Sequence, residues 1–373
     1  MTTGSNTGAC VGCRDRNDCG NPTPFCDSGT LTCRGCVADT ECPSLVCDLT
    51  PDSITHGLCV PTSQVEYADK NAPAGGNGLT PSTARQQIQD AINHAVGADK
   101  RAYVHVATGS YDEVVGVSNA TIYLVGADGA VIHSTQTGKD ALGSQNGGSM
   151  TVRNMTLTST SGNSGNCQNA TFIAYRSQLI GSSQNGIFAY NCALVVDGCW
   201  IDSDVQGGIY IQGGNFNVMN SIITRNGGAG GFYQLANAAM TVFVNNTVAD
   251  NSASGTVAGV TCAPSSSLVV RNSILYNDKG TSGSSVAETN CQSEFCASDD
   301  GTAGPMSTVD LIGTPPGFKG SAPVSADSYH LTSTSPCLDK ATPQYAPNHD
   351  FDFLPRPDAT TMLPDIGACE LQQ

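Results

Sequence analysis

The feature that most constrains this chain is a repeat too short to be a domain. Segments reading MTVRNMTL at 150–157, IAYRSQLI at 173–180, LVVDGCWI at 194–201, FNVMNSII at 216–223, TVFVNNTV at 241–248 and LVVRNSIL at 268–275 share one pattern, an apolar run, a small polar residue and a second apolar run. Aligned on Asn154, Ser177, Gly198, Asn220, Asn246 and Asn272, they recur at steps of 23, 21, 22, 26 and 26 residues. A unit of that size cannot bury an apolar face alone, but it suits one coil of a solenoid whose coils cover one another. A bend between two strands favours a left-handed backbone, which Asn and Gly adopt most cheaply, and five of the six central positions carry one of them. A further strand begins after glycine in Gly186-Ile-Phe-Ala, Gly208-Ile-Tyr-Ile and Gly231-Phe-Tyr-Gln, which makes the coil three-sided. Seven to nine coils stacked at about 4.8 Å give a rod of roughly 35–45 Å.

Composition agrees with a strand-rich rod. Charged residues are 13% of the chain, and 42 of 373 residues are glycine. Acids outnumber bases 32 to 16 with no basic cluster, which excludes a nucleic-acid backbone as partner. No apolar run is long enough to cross a membrane.

The N-terminal segment is a different object. CVGCRDRNDC at 10–19 returns as CRGCVADTEC at 33–42, so that Cys13, Cys19, Cys26 and Cys33 form one four-cysteine unit and Cys36, Cys42, Cys47 and Cys59 a second. Units this small need cross-links to fold, and disulfides place the chain outside the cytosol. Zinc is the rival, because Cys10-x2-Cys13 and Cys33-x2-Cys36 have four-cysteine spacing, but it leaves five neighbouring cysteines unexplained. Cys10 is left over. The opening MTTGSNTGAC is neither basic nor apolar, so a secretion signal is expected to have been removed.

Four regions follow: a cysteine-rich module at 1–62, a linker with a capping helix and first coil at 63–116, β-helix coils at 117–300, and closing coils with a cap at 301–373. The helix is expected over 81–96, with Thr80 as cap, Pro81 in its first turn, and Ile88, Ala91, Ile92, Ala95 and Val96 on one face.

The cysteine-rich segment resembles the dickkopf-like repeats of secreted bacterial proteins. YADKNAPAGGNG at 67–78, the helix, VHVATGSYDE at 104–113 and the Asn-centred coils resemble right-handed parallel β-helix, or pectin-lyase-like, proteins. SYHL at 328–331, SPCLD at 335–339, DFD at 350–352, RP at 356–357 and DIGACE at 365–370 resemble the choice-of-anchor Q ending, with Phe353 where that motif usually has Gly. The resemblance implies an all-β, right-handed, three-sided solenoid on an exported, surface-associated protein. It leaves the chemistry open, since such scaffolds serve enzymes, adhesins and spacers.

Two constellations are candidates for function. Phe188, Tyr210 and Tyr233 stand two residues after the coil glycines and are expected to line up facing outward, while Ile187, Ile209 and Phe232 point inward. Aromatic faces in a row would bind sugar rings. Lyases of the resembling family need carboxylates for calcium and a basic residue, and the nearest set is Asp202, Asp204, Arg225 and Asp250, with Arg225 beside Asp250 on neighbouring coils. Ser203, Arg225, Asp250 and Tyr276 are aligned in one column, and Asp204, Asn226, Asn251 and Asn277 in the next. The plainer reading of the set is an ion pair with an amide ladder. Asp350, Asp352, Asp365 and Glu370 with Arg356 read as a cap over the open end of the solenoid, with Cys337 and Cys369 joined within it. Cys291 and Cys296 are expected to join each other, and Cys167, Cys192, Cys199 and Cys262 stay unassigned. GGAGG at 227–231 precedes no helix and reads as a solenoid turn rather than a nucleotide loop.

The expected function is therefore a surface protein whose flank binds polysaccharide or cell-surface glycan, with no resident metal or cofactor. The alternatives are a lyase or hydrolase of an acidic glycan, in which case calcium enters, and a structural subunit of an extracellular assembly that associates through the N-terminal module.

Overall fold

The computed structural model describes residues 12–372, except 14, 21–22, 51–52, 98–99, 237, 239, 256, 265, 267, 282–287, 290, 300–310 and 321–323. Cys10 lies outside the described residues. From Val65 onward the chain winds into coils whose strands pair in parallel with the coils before and after. The first side of the coil holds Leu142–Gln145, Gly165–Gln168 and the leading halves of Asn185–Asp197 and Gly207–Met219, followed by Phe232–Ala236. The trailing halves of those long strands continue the second side, which starts with Val65–Ala68 and includes Ser149–Arg153 and Thr171–Tyr175. A separate ten-stranded sheet makes the third side and includes Gln178–Ile180, Trp200–Asp202, Ile222–Thr224 and Thr247–Ala249.

Strand alternation sends one row of apolar residues inward from each side: Ile187, Ile209 and Phe232 from the first, Val152, Ala174, Val196 and Val218 from the second, Leu157, Leu179, Ile201, Ile223 and Val248 from the third. All are buried, and their stacking along the axis is what closes the core.

The corner between the second and third sides is the expected left-handed bend, with two shifts of one residue. The residues with positive φ are Asn154, Arg176, Gly198, Asn220, Asn245 and Asn272, so Arg176 replaces Ser177 and Asn245 replaces Asn246. Strand register requires this, because Arg153 pairs with Tyr175 and Met219 with Val244. Corrected, the bends recur at 22, 22, 22, 25 and 27 residues. Ser177 and Asn246 belong to the next row inward, where side chains bridge coils: Ser221 N–H donates to Asn246 Oδ1 at 3.0 Å, and Asn246 N–H to Ser273 Oγ at 3.1 Å.

The expected helix is broken in two. A 3-10 turn covers Pro81–Thr83, and the α-helix runs only over Ile88–Val96. Glu113 ends the interruption by accepting the Ile88 and Gln89 N–H groups at 2.8 and 3.0 Å, which caps the helix from another segment. Ile88, Ala91, Ile92 and Ala95 are buried over the first coils, as expected.

In the N-terminal module the pairings are Cys13–Cys26, Cys19–Cys33, Cys36–Cys47 and Cys42–Cys59, first to third and second to fourth within each unit. These bonds remove Cys13, Cys33 and Cys36 from any zinc site. The module is fastened to the second side by Arg153, whose guanidinium takes both oxygens of Asp39 at 2.7 and 3.0 Å and donates to the Cys47 carbonyl at 3.0 Å.

Other cysteine expectations are corrected. Cys291 pairs with Cys262 rather than Cys296, and Cys167 pairs with Cys192. Cys296 is buried with its thiol 3.4 Å from the Val270 carbonyl oxygen. Cys337 and Cys369 remain separate buried thiols, as does Cys199. They sit on the apolar side of the closing segment, in different clusters, which is why the pair does not form.

The described residues of the closing segment lie against the flank of the rod, not over its end as expected. The segment runs back along the corner between the second and third sides. Arg356 is buried there and donates to Glu370 Oε2 at 3.1 Å, Asn220 Oδ1 at 2.8 Å and the Ala368 carbonyl at 2.8 Å. Asn245 Nδ2 donates to the Asp365 carbonyl at 3.1 Å, and Asp350 Oδ2 accepts the Glu370 N–H at 2.9 Å. Asp352 faces out and meets His330 at 2.8 Å. The left-handed corner leaves side-chain amides pointing outward, and the segment uses them as docking partners.

Candidate functional site

The aromatic row forms where the register predicts it, since Phe188 pairs with Tyr210 and Tyr210 with Tyr233. All three face outward and are half-buried, while Ile187, Ile209 and Phe232 fill the interior. Their use differs from expectation. Rungs about 4.8 Å apart press neighbouring rings together, and centroids lie 5.7 and 5.1 Å apart with planes 16° and 18° from parallel. Both faces of Tyr210 and one face each of Phe188 and Tyr233 are spent on one another, with Asn166 and Thr261 as the outer register neighbours. What the row offers outward is ring edges and, in Tyr210 and Tyr233, two hydroxyls without hydrogen-bond partners among the described residues.

The most exposed ring of this flank belongs to a residue that the sequence reading did not single out. Tyr190 lies two positions beyond Phe188 on the same strand, hence on the same face, and is 43% exposed. Its register neighbours are Gln168 and Gln212, so no ring covers it from either coil. The outward signal was available in the alternation Ile187, Phe188, Ala189, Tyr190, but Tyr190 has no aromatic equivalent in adjacent coils to draw attention to it. Asn166 extends the row on the other side of Phe188 and is held by Asp140 at 2.6 Å. The resulting patch of Asn166, Gln168, Phe188, Tyr190, Tyr210, Gln212 and Tyr233 contains amides, hydroxyls and rings and no charged side chain.

The acid and Arg set lies at the corner between the third and first sides, where Ser203, Arg225, Asp250 and Asn277 have left-handed backbones. Asn277 therefore takes the place expected of Tyr276, and Asp278 the place expected of Asn277, because Ala249 pairs with Tyr276. Arg225 turns away from Asp250. Its Nε and Nη2 meet the two oxygens of Asp202 at 2.8 and 2.5 Å, and Thr224 Oγ1 donates to the same carboxylate at 2.7 Å. Asp250 instead accepts the Tyr329 hydroxyl at 2.8 Å and Asn277 Nδ2 at 2.5 Å. Tyr329 comes from the closing segment and covers this corner.

Asp204 is part of an interior ladder. Ser182 N–H donates to Asp204 Oδ1 at 2.7 Å, Asp204 N–H to Asn226 Oδ1 at 3.0 Å, Asn226 N–H to Asn251 Oδ1 at 3.0 Å, and Asn251 N–H to Asp278 Oδ1 at 2.9 Å. Burial pushes the Asp204 and Asp278 carboxyls well above their usual pKa. The ladder also explains the coil glycines. A Cβ on Gly186 would lie 2.5 Å from Asp204 Oδ2, on Gly208 2.9 Å from Asn226 Nδ2, and on Gly231 2.9 Å from Asn251 Nδ2.

The four residues expected to act together are thus divided between a saturated ion pair, a tyrosine-bound carboxylate and an internal rung. Their oxygens do not converge on one open point, and the set does not fit a calcium ion. Among the described residues the groupings of metal-type donors are Cys13, Cys19 and Cys26, and Cys36, Cys42 and Cys47, whose sulfurs are in disulfides.

Residues 164–299 match the family model described as a right handed beta helix region. The fold is a right-handed parallel β-helix. Among solved structures it is similar to the pectate lyase Pel9A, at 13% identity over 84% of this chain and 98% of that one, with a TM-score of 0.52. A pectin methylesterase from Aspergillus niger aligns over 62% of this β-helix and 90% of its own chain at 15% identity, with a TM-score of 0.33. A search of curated proteins by sequence finds no match. At these identities the likeness concerns the path of the backbone, and the residues of the β-helix itself must carry any functional reading.

Proposed function

We propose that this β-helix is an extracellular glycan-binding protein, and that its ligand is an uncharged, hydroxyl-rich polysaccharide held on the first side of the rod. The observation that carries the reading is the open face of Tyr190 between Gln168 and Gln212, beside the free hydroxyls of Tyr210 and Tyr233. A pyranose ring presents an apolar face for stacking and equatorial hydroxyls for amides. The patch holds no basic side chain and is bordered by the Asp140 carboxylate, which disfavours a uronate, whose own carboxylate would lose water without gaining a partner. Six disulfides among the described residues support an oxidising compartment, and no described helix is long and apolar enough to cross a membrane.

Affinity electrophoresis against neutral and uronic polysaccharides tests this reading. Retardation by a neutral glycan is expected, with at least a tenfold loss of affinity in Tyr190→Ala and a smaller loss in Tyr210→Ala. Preference for uronic chains, turnover of the glycan, or binding that survives both substitutions would overturn it.

A further inference from the structure

A second site lies away from the glycan face, where the N-terminal module and the closing segment meet over the second side. The cleft measures about 510 Å³ and is lined by Val37, Leu49, His56, Arg176, Phe353 and Pro355 among others. That volume suits a small organic molecule. Its walls are apolar except for the imidazoles of His56 and His349, the Asn348 amide and one guanidinium.

Arg176 is the unusual member. It occupies a left-handed corner at φ 44°, where Asn154, Gly198, Asn220, Asn245 and Asn272 are Asn or Gly and Phe295 in the following coil is the other bulky side chain. Arg225 accepts a similar backbone at φ 55° and is compensated by both oxygens of Asp202. Among the described residues the Arg176 guanidinium makes no hydrogen bond or ion pair. It lies with Cζ 4.0 Å from the ring centroid of Phe353. Carboxylates in the neighbourhood are already engaged, Asp39 with Arg153, Asp197 with His349 and Asn220, and Asp352 with His330. Phe353 is itself left-handed at φ 61° and stacks on His349 with centroids 4.6 Å apart. Two bulky residues in strained conformations thus face each other and shape one cleft. Strain of this kind persists where the side chain is wanted at that place. Burial, with Arg153 nearby, holds the Arg176 pKa below its usual value, yet a guanidinium remains charged at neutral pH.

We propose that this cleft binds a small aromatic carboxylate, its carboxylate on the Arg176 guanidinium and its apolar body against Val37, Leu49 and Phe353. A guanidinium on an apolar floor supplies a two-pronged, partly desolvated donor for a carboxylate. In a chain of net charge −16, an anion gains nothing from the overall field, so binding depends on this local geometry.

The test uses the full chain with three probes, phenylacetate, its neutral isostere phenylacetamide, and acetate, followed by calorimetry and saturation-transfer NMR. Phenylacetate is expected to bind with a Kd of about 1 mM or tighter, at least tenfold better than the amide or acetate. Arg176→Asn is expected to erase the preference for acid over amide while keeping or raising the melting temperature, since Asn suits φ 44° better. Equal binding of acid and amide to the wild type, undiminished phenylacetate binding by a folded Arg176→Asn variant, or no saturation up to about 10 mM would each overturn the proposal. Because Tyr190 plays no part here, failure of this site leaves the glycan reading untouched, and the converse holds.

Discussion

Asp204→Asn should stabilise the β-helix, and by an amount that depends on pH. Asp204 Oδ1 accepts the Ser182 N–H, but Oδ2 is buried without a hydrogen-bond partner. In the next two coils the same rung is an amide whose Nδ2 donates to a carbonyl of the preceding coil: Asn226 to Ile201 at 3.2 Å and Asn251 to Ile223 at 3.0 Å. The register equivalent below Asp204 is Leu179, so Asn at 204 would place a donor toward the Leu179 carbonyl. One buried hydrogen bond contributes about 1 kcal/mol, and removing an unpaired buried oxygen about 1–3 kcal/mol more, giving a gain of about 2–4 kcal/mol at neutral pH. The Asp204 pKa is raised on folding, so its contribution is fully present below the unfolded carboxyl pKa and is lost as pH rises through the folded value. The advantage of the amide should therefore shrink toward about pH 4 and reach its full size at neutral or higher pH. Urea unfolding at several pH values, read by the single Trp200, measures both quantities. A variant less stable than wild type, or a gain independent of pH, would refute the ladder as described. The substitution should leave glycan binding unchanged, and a loss there would return Asp204 to the ligand.

Asn246→Ala removes the acceptor for Ser221 N–H and the donor to the Val218 carbonyl at 2.9 Å, leaving two buried groups unpaired. A loss of about 2–4 kcal/mol in denaturant unfolding is expected, and one below about 1 kcal/mol would contradict the inner row as a stabilising element. Asp39→Ala leaves Arg153 with only the Cys47 carbonyl and removes the acceptor of the Cys47 N–H, at a cost of about 3–5 kcal/mol. Hydrogen exchange in residues 36–60 should then accelerate while that of the coils does not, and uniform exchange throughout would show that the module does not depend on this anchor.

How much of this was legible in the sequence depended on the range of the interaction. The coil repeat and the inward and outward assignment of Ile209 and Tyr210 follow from period and alternation, which are local. The one-residue slips arose where the letter code is ambiguous. Asn245 and Asn246 are adjacent and equally suited to a bend, and Arg176 is a residue that no propensity places at positive φ. Spacing delimited the two compact N-terminal units as disulfide-bonded but left the partners within each open, and the structure supplies them. Between coils, Cys262 and Cys291 come together because they lie one rung apart on the same corner, while Cys337 and Cys369 share a closing segment but face different clusters. Hardest to read was the return of the closing segment along the flank. Its contacts, such as Tyr329 with Asp250 and Arg356 with Asn220, span 79 and 136 residues and carry no periodic signal.

The interior ladder has a direction. At every step a backbone N–H of one coil gives to the side chain of the coil above, from Ser182 to Asp278, so each rung is both plug and socket for its neighbours. A coil bearing Gly on its first side and Asp or Asn at this corner is therefore interchangeable with its neighbours as far as the ladder is concerned. Duplicating residues 204–225 should lengthen the rod by one storey and pull apart the corners on which the closing segment docks, Asp197 before the insertion and Asn245 after it.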